Sequence, residues 1–300
     1  MTHREIPDRF FINETPSEAE TKIVQKGLED HNKRHPYGEL DIPTPDISLV
    51  LRDADGIIIG GVITSMLIGV MHLEVLWVEE SYRNQGFAKA LVLEAERIGK
   101  EKGYSASQTW TFSFQAPGFY QRIGYRIVGI FDGYSNGITE YVLLKKFEFD
   151  EPSLNSFTHA GFSILEDSSE ESMSVLHRGL RQYVKKHVGE LRKKHPGIRI
   201  NLVLKNSDQQ VIGGLHAYTT LRAVHTECLW VDRSSRKLGY GKKLLVAAEK
   251  IAKENGCISG LVMVFSFQSP EFFQKLGYEI FGVSDGYPGS IKEHFLIKRF

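Results

Sequence analysis

Three hundred residues, 41% of them apolar and 25% charged, are ordinary for a soluble globular chain and enough for about two domains. Thirty-seven basic side chains offset thirty-seven acidic ones, so a formal net charge of zero gives no bulk attraction to nucleic acid or an anionic membrane. The opening residues MTHREIPDRFFINE lack the apolar core of a signal peptide, no run approaches a membrane span, and Cys228 and Cys257 are the only cysteines, which predicts a cytoplasmic protein.

In chain order, residues 1–9 read as a loose terminus and Phe10-Phe11-Ile12 as a first strand. Thr15-Pro16-Ser17 signals a helix start, with Ile23, Val24, Gly27 and Leu28 on one face. A polar segment, Glu29 to Pro45, carries Asn32, Lys33, Arg34, His35 and Tyr37. Ile47 to Arg52 and Ile57 to Leu67 flank Asp53-Ala54-Asp55-Gly56, a hairpin turn. The apolar run Val75-Leu76-Trp77-Val78 suits a buried strand, and Glu79 to Tyr82 make a polar turn. Arg83-Asn84-Gln85-Gly86-Phe87-Ala88 then leads into an amphipathic helix with Phe87, Leu91, Val92, Ala95 and Ile98 on its apolar face. Lys100 and Lys102 suit its last turn, and Gly103 can end it. Ser107 to Phe114 is a strand, Pro117 to Arg122 a short helix, Tyr125 to Val128 and Thr139 to Lys145 two more strands, and Glu148 to Ser156 a linker. This order predicts an α/β fold, with helices on an α+β-like mixed sheet.

The same course then begins again at Phe162-Ser163-Ile164. Trp77 pairs with Trp230 (230 − 77 = 153), Gly86 with Gly239 and Gly103 with Gly256, all at one offset. Phe112-Ser113-Phe114-Gln115 pairs likewise with Phe265-Ser266-Phe267-Gln268, Asp132-Gly133-Tyr134 with Asp285-Gly286-Tyr287, and Phe147 with Phe300. Upstream, Gly27-Leu28 matches Gly179-Leu180 at 152, one residue out of step. A register held over so long a span is a duplicated domain, with expected units at 1–150 and 151–300. Cys228 and Cys257 stand where the first unit has Val75 and Tyr104, which assigns them to core filling.

A strand running into a glycine-bearing turn at a helix start makes an anion cradle, because the first N–H groups and the positive end of the dipole point outward. Gly86 lets backbone approach a phosphate with no Cβ in the way. This predicts a pyrophosphate site, built twice.

Arg83-x-x-Gly86-x-Ala88 and Arg236-Lys237-Leu238-Gly239-Tyr240-Gly241 resemble the (Arg/Gln)-x-x-Gly-x-(Gly/Ala) acetyl-CoA signature of the GNAT acetyltransferase superfamily. The resemblance extends over nearly all of each half and implies two tandem GNAT-like domains that use acetyl-CoA. It implies a cofactor site at Leu76, Trp77, Val78, Arg83, Asn84, Gln85, Gly86, Phe87, Ala88 and Gln115. The matching site in the second half is Val231, Arg236, Lys237, Leu238, Gly239, Tyr240 and Gly241. In this family the Leu76–Val78 strand splays from its neighbour to admit pantetheine, and an N–H near Leu76 faces the oxyanion. The segment Glu29 to Pro45 would overlie the acceptor.

His72 to Gly86 is similar to the same stretch of arylalkylamine N-acetyltransferases, where two histidines serve proton removal; here the two positions are His72 and Glu74. Residues two apart on a strand share a face, so either could relay the proton that an ammonium must lose. His225 and Glu227 repeat the pair, and which residue is the base stays open. Phe119-Tyr120-Gln121-Arg122-Ile123-Gly124-Tyr125 resembles the element that closes the GNAT cofactor site and makes Tyr120 the general acid toward the CoA sulfur. Phe273, without a hydroxyl, stands at that place in the second half.

The expectation is an N-acetyltransferase acting on a primary amine of a small molecule or peptide. Its partners would include neither nucleic acid nor membrane, and it would be a pseudo-dimeric monomer or a homodimer. An acyl-CoA-binding or sensing protein with lost chemistry is the alternative, and aminoacyl transfer from tRNA a third reading. No His/Cys/Asp spacing suggests a metal cage.

Overall fold

Each half of the chain lays down the same elements, and each capping signal in the sequence is used. The computed structural model describes residues 10–34, 46–148 and 161–300. The expected loose terminus, His35, Tyr37 and most of the expected linker lie outside the described residues. A short strand, β1 (Phe11–Asn13), leads to α1 (Glu18–Lys33). Ser17 and Glu20 close a reciprocal capping box there, with the Glu20 carboxylate accepting the Ser17 N–H at 2.8 Å. β2 (Ser48–Arg52) and β3 (Ile58–Leu67) form the expected hairpin. Its turn is held by the Asp53 carboxylate, which accepts N–H groups of Asp55 at 3.1 Å and Ile57 at 2.9 Å.

β4 (Val70–Val78), α2 (Phe87–Glu101), β5 (Ala106–Phe112), α3 (Pro117–Arg122), β6 (Arg126–Phe131) and β7 (Glu140–Lys146) complete the first half. The second half repeats them as β8 (Ser163–Glu166), α4 (Glu170–Lys194), β9 (Arg199–Lys205), β10 (Val211–Thr220) and β11 (Ala223–Val231). It closes with α5 (Tyr240–Glu254), β12 (Ser259–Phe265), α6 (Pro270–Gln274), β13 (Glu279–Ser284) and β14 (Glu293–Arg299). Phe87, Leu91, Val92 and Ala95 of α2 are buried in a core shared with Leu49, Leu51 and Val62 of the hairpin. Each such Leu, Val or Phe contributes roughly 1.5–3 kcal/mol by leaving water.

All strands join one mixed sheet in the order β1-β9-β10-β11-β12-β14-β13-β6-β7-β5-β4-β3-β2-β8. Two features of that order could not be read from the repeat. First, the opening strand of each half pairs with the other half: β1 runs antiparallel to β9, and β8 antiparallel to β2. The helices follow the strands, so α1 packs on β9–β11 and α4 on β3 and β4. Glycine is what lets them sit there. A Cβ on Gly27 would lie 2.3 Å from the Trp230 ring, and one on Gly179 2.2 Å from the Trp77 ring. Phe10 packs on Tyr240 and Phe162 on Phe87, each with ring centroids 4.8 Å apart.

Second, β6 and β13 meet at the seam through the single pair Gly129 and Gly282, again 153 apart. A Cβ on Gly282 would come within 2.5 Å of the Val128 carbonyl oxygen, so the approach demands glycine. The two Asp-Gly-Tyr loops clasp across this seam. Asp285 takes ion pairs from Arg126 and Lys146, Asp132 takes one from Arg299, and the Ser105 and Ser259 hydroxyls donate to the Gly286 and Gly133 carbonyls at 2.7 and 2.6 Å.

Replacing Gly179 by Leu drives a side chain into Trp77, and overpacking of this kind costs about 1–3 kcal/mol. Thermal denaturation should show a lowered Tm for Gly179→Leu, whereas Gly103→Ala, where a Cβ meets nothing within 4 Å, carries only the cost of its φ of +84°.

Candidate active site

The site is built where β4 and β5 part. Their parallel pairing runs from Val70–Ala106 to Leu73–Thr109 and stops, leaving Val75 to Val78 and Trp110 to Phe112 diverging. The Thr109 hydroxyl, donating to the Leu73 carbonyl at 3.1 Å, pins the last joined point. β4 also carries a bulge opposite Ile63/Thr64, where Glu74 is the extra residue. The second half copies both: β11–β12 pairing ends at Thr226–Val262, and Glu227 sits in the bulge opposite His216/Ala217.

The wedge opens into a cleft of about 580 Å³ lined by Leu76, Trp77, Val78, Arg83, Asn84, Gly86, Phe87, Ala88, Gln115 and Tyr120. Of the expected cofactor residues in this half only Gln85 lies outside it; its amide turns back to the Ser81 carbonyl at 3.2 Å. Gly86 caps α2 with φ of +88° and Asn84 also has positive φ, at +62°. A Cβ on Gly86 would meet nothing within 4 Å, so within the chain the glycine is required by its left-handed backbone. The first-turn N–H groups of α2 have no carbonyl of their own helix to bond, and this end of the helix is positive. Arg83 braces the turn instead of hanging free: its Nε donates to the Val78 carbonyl at 2.9 Å, and its guanidinium lies 5.1 Å from the Tyr183 ring centre.

Tyr120 is only 7% exposed, on the cleft wall, and burial pushes its phenol up to about 12 despite the neighbouring Thr109 hydroxyl. It therefore keeps its proton at neutral pH. The corresponding cleft of the second half, about 510 Å³, is lined by Val231, Arg236, Lys237, Gly239, Tyr240 and Gly241, with Phe273 in place of the phenol. Leu238 lies outside it, 41% exposed. Cys228 lines that cleft, but burial pushes its thiol up to about 12, which leaves it protonated and unreactive at neutral pH.

Beside the first cleft, and sharing Gln115 and Leu180 with it, lies a second cavity of about 380 Å³. His72 and Glu74 both line it, as their spacing predicts. Glu74 accepts the Ser65 hydroxyl at 2.6 Å. His72 is held down to about 4 by burial, so it is neutral, and its Nε2 lies 3.2 Å from the Tyr287 hydroxyl of the other half. The swapped α4 supplies the remaining wall with His177, Leu180, Arg181, Val184 and Arg192.

Glu140, the first residue of β7, also lines this cavity and was not among the expected site residues. Burial pushes its carboxyl from the usual 4.5 up to about 7, and the Tyr134 hydroxyl donates to it at 2.8 Å. Its equivalent is Glu293 (293 − 140 = 153), which accepts from Tyr287 at 2.8 Å and from Gln108 at 2.9 Å. The signal in the sequence was an acid opening the last strand of both copies.

A family model described as Acetyltransferase (GNAT) family matches residues 12–125 and again 163–278. The chain belongs to the GNAT family. Blasticidin-S acetyltransferase of Streptomyces morookaense is 39% identical over 90 residues, which span 30% of this chain and 66% of that enzyme, just under two thirds. An acetyltransferase of Agrobacterium fabrum is 25% identical over 138 residues, 46% of this chain and 98% of that protein. The crystal structure of an acetyltransferase from Bacillus cereus, 35% identical, superposes with a TM-score of 0.43 over 45% of this chain and 96% of its own. Among the described residues no helix is long and apolar enough to cross a membrane.

The Glu140 carboxyl has a stability signature. A carboxyl whose folded pKa lies above its unfolded one holds a proton between the two that the unfolded chain releases. Its contribution is therefore full below about pH 4.5 and lost as pH rises through about 7. Glu140→Gln removes that dependence, so the Tm of the variant relative to wild type should climb across this window in scans at successive pH.

Proposed function

We propose that the protein is an acetyl-CoA-dependent N-acetyltransferase whose turnover runs in the first-half site, completed by α4 of the second half. One observation carries the reading. A cleft between splayed strands has a glycine-started helix at one wall, a protonated tyrosine at another, and shares Gln115 and Leu180 with a neighbouring cavity that holds acidic groups. The residues fit a pantetheine with a pyrophosphate head: unpaired strand edge for amides, α2 first-turn N–H groups for phosphate oxygens, and apolar Leu76, Phe119 and Ile123 between them.

When bound, acetyl-CoA supplies an activated acyl thioester. The chain does the rest. With acetyl-CoA bound, main-chain N–H groups on the unpaired edge of β4 near Leu76 would stabilise the thioester oxygen that gains negative charge. The Tyr120 O–H, held protonated on the cleft wall, would donate a hydrogen bond to the departing sulfur. With its pKa raised to about 12 against about 8.5 for a thiol, it stabilises the thiolate as a donor more readily than it surrenders the proton outright. The acceptor amine enters from the adjoining cavity. Its class follows the family reading: a primary amine of a small molecule or peptide, with blasticidin S a natural first compound because a relative bears that name.

The second cleft keeps the helix start and lacks the phenol, which supports a binding and shaping role without efficient turnover. Thiol release from acetyl-CoA, measured over a panel of blasticidin S, amino acids, peptides and polyamines, should reveal at least one acceptor. Tyr120→Phe should lower kcat roughly ten- to a thousand-fold. Gly86→Val should abolish most activity through its positive φ, and Gly239→Val should leave most of kcat. The reverse pattern assigns turnover to the second half. Tight acetyl-CoA binding in calorimetry with no CoA release from any amine, unchanged by Tyr120→Phe, would make the protein a sensor.

A further inference from the structure

The two Asp-Gly-Tyr loops do more than clasp the seam, because each delivers its tyrosine to the candidate histidine of the opposite half. Tyr134 lies 3.1 Å from His225 Nε2, and Tyr287 lies 3.2 Å from His72 Nε2. Each tyrosine also donates to the acid that opens the last strand of its own half. Two His–Tyr–Glu chains therefore cross the seam, related by the repeat.

They are not equivalent. Glu293 is shut in by a second donor, Gln108, and is buried. The residue 153 positions after Gln108 is Leu261, which has no amide to offer. Glu140 accordingly has Tyr134 as its donor, is paired with no cation among the described residues, and faces the acceptor cavity. At the other end, His225 Nδ1 lies 3.2 Å from the Tyr218 hydroxyl, whereas Ser65 stands in the equivalent place of the first half.

With Glu140 ionised, one direction along its chain satisfies every link. Tyr134 spends its proton on Glu140, so its oxygen accepts from His225 Nε2–H. His225 Nδ1 is then bare and accepts from Tyr218. The chain is one-way: Tyr218 to His225 to Tyr134 to Glu140. If Glu140 gains a proton, every link can reverse, with Glu140 donating to Tyr134, Tyr134 to Nε2, and Nδ1–H to Tyr218, and no buried group loses its partner. Burial keeps His225 near 4 and so neutral, as both orientations require.

We propose that Glu140 is the group that takes the ammonium proton of the acceptor in the first-half cavity, and that Tyr134, His225 and Tyr218 are positioning residues that accommodate either protonation state of Glu140 across the seam. This rests on the acetyltransfer reading above. The N–H bond of the bound ammonium breaks, its proton joins a Glu140 oxygen, and the freed lone pair forms a C–N bond at the thioester carbonyl. The C–S bond then breaks, CoA leaves as thiolate, and the second proton shed by the nitrogen goes to that thiolate or to solvent. Glu140 returns its proton to solvent through the open cavity between turnovers. The other charged or titratable groups around it are His72 and Glu74 of β4, His177, Arg181 and Arg192 of α4, and Tyr134 from the loop. Of these, His72 is already neutral, and the Tyr134 hydrogen bond favours the ionised Glu140 carboxylate against the burial that raises its pKa.

The test uses the full chain. In wild type, kcat/KM for blasticidin S, or for whichever amine of the panel turns over fastest, should rise with pH along a limb with its midpoint near 7. Glu140→Gln should lower it about a hundred-fold or more and erase that limb, with acetyl-CoA binding in calorimetry unchanged. Glu74→Gln should keep the limb. Tyr134→Phe should shift its midpoint, a change that a merely structural tyrosine would not produce. Independently of any acceptor, protein carrying ¹³C-carboxyl glutamate should show one resonance titrating near 7 that is missing in Glu140→Gln. An unaltered limb in Glu140→Gln, with wild type active, overturns the assignment of Glu140 alone. Absence of the titrating resonance overturns it as well. Failure of every amine overturns the acetyltransfer reading and the catalytic use of Glu140 together.

Discussion

The structure depends on a contact with nothing in it but a missing methyl group. Gly179 of α4 lies flat on the Trp77 ring, and Gly27 of α1 on the Trp230 ring, each pair joining opposite halves of the chain. Because the glycine lets the helix down onto the strand, the helix can wall the first-half cleft with Leu180 and Tyr183, and the adjoining cavity with His177, Arg181 and Arg192. Tyr183 fixes itself by donating to the Phe114 carbonyl at 3.0 Å while its ring covers Arg83. The Gly86 turn, the strand edge and the wall of the adjoining cavity are thus held in one geometry by a helix that belongs, in sequence, to the other copy.

Much of this was legible before any coordinates. The capping box at Ser17, the Asp53 turn, the strand run into Gly86 and the short α3 follow from local chemistry, because each is satisfied by residues a few positions apart. The offset of 153 shows the duplication. It does not show which copy a segment packs on. An internal repeat gives α1 and α4 equivalent apolar faces, so either sheet satisfies the pattern, and the choice is made by long-range contacts such as Phe10 on Tyr240. The same blindness hid Glu140. A glutamate at a strand start looks solvated in sequence, and only the loop brought back by Tyr134 and the wall of α4 show that it is half-enclosed.

The asymmetry between the halves is confined to few side chains. Tyr120 against Phe273 removes the donor near the expected sulfur, Gln108 against Leu261 frees one acid and seals the other, and Ser65 against Tyr218 lengthens one hydrogen-bond chain. None of these touches the frame, since the splay begins at equivalent residues in both halves and the glycine-started helices match. Side chains differ on a backbone that stays symmetric.

The exchange of opening segments has a historical consequence. Two separate copies trading their first strand and helix would make a two-fold homodimer with a composite site in each, and joining them end to end gives this chain. In such an ancestor every substitution fell on both sites at once. In a single chain that constraint is gone, so the two copies can differ at one place, as Tyr120 and Phe273 do. Yet the altered copy cannot be discarded, because α4, Tyr287 and His225 serve the site or seam of its sibling. A copy that supplies its sibling's wall and seam is held in place as a subunit holds its partner, whatever its own turnover.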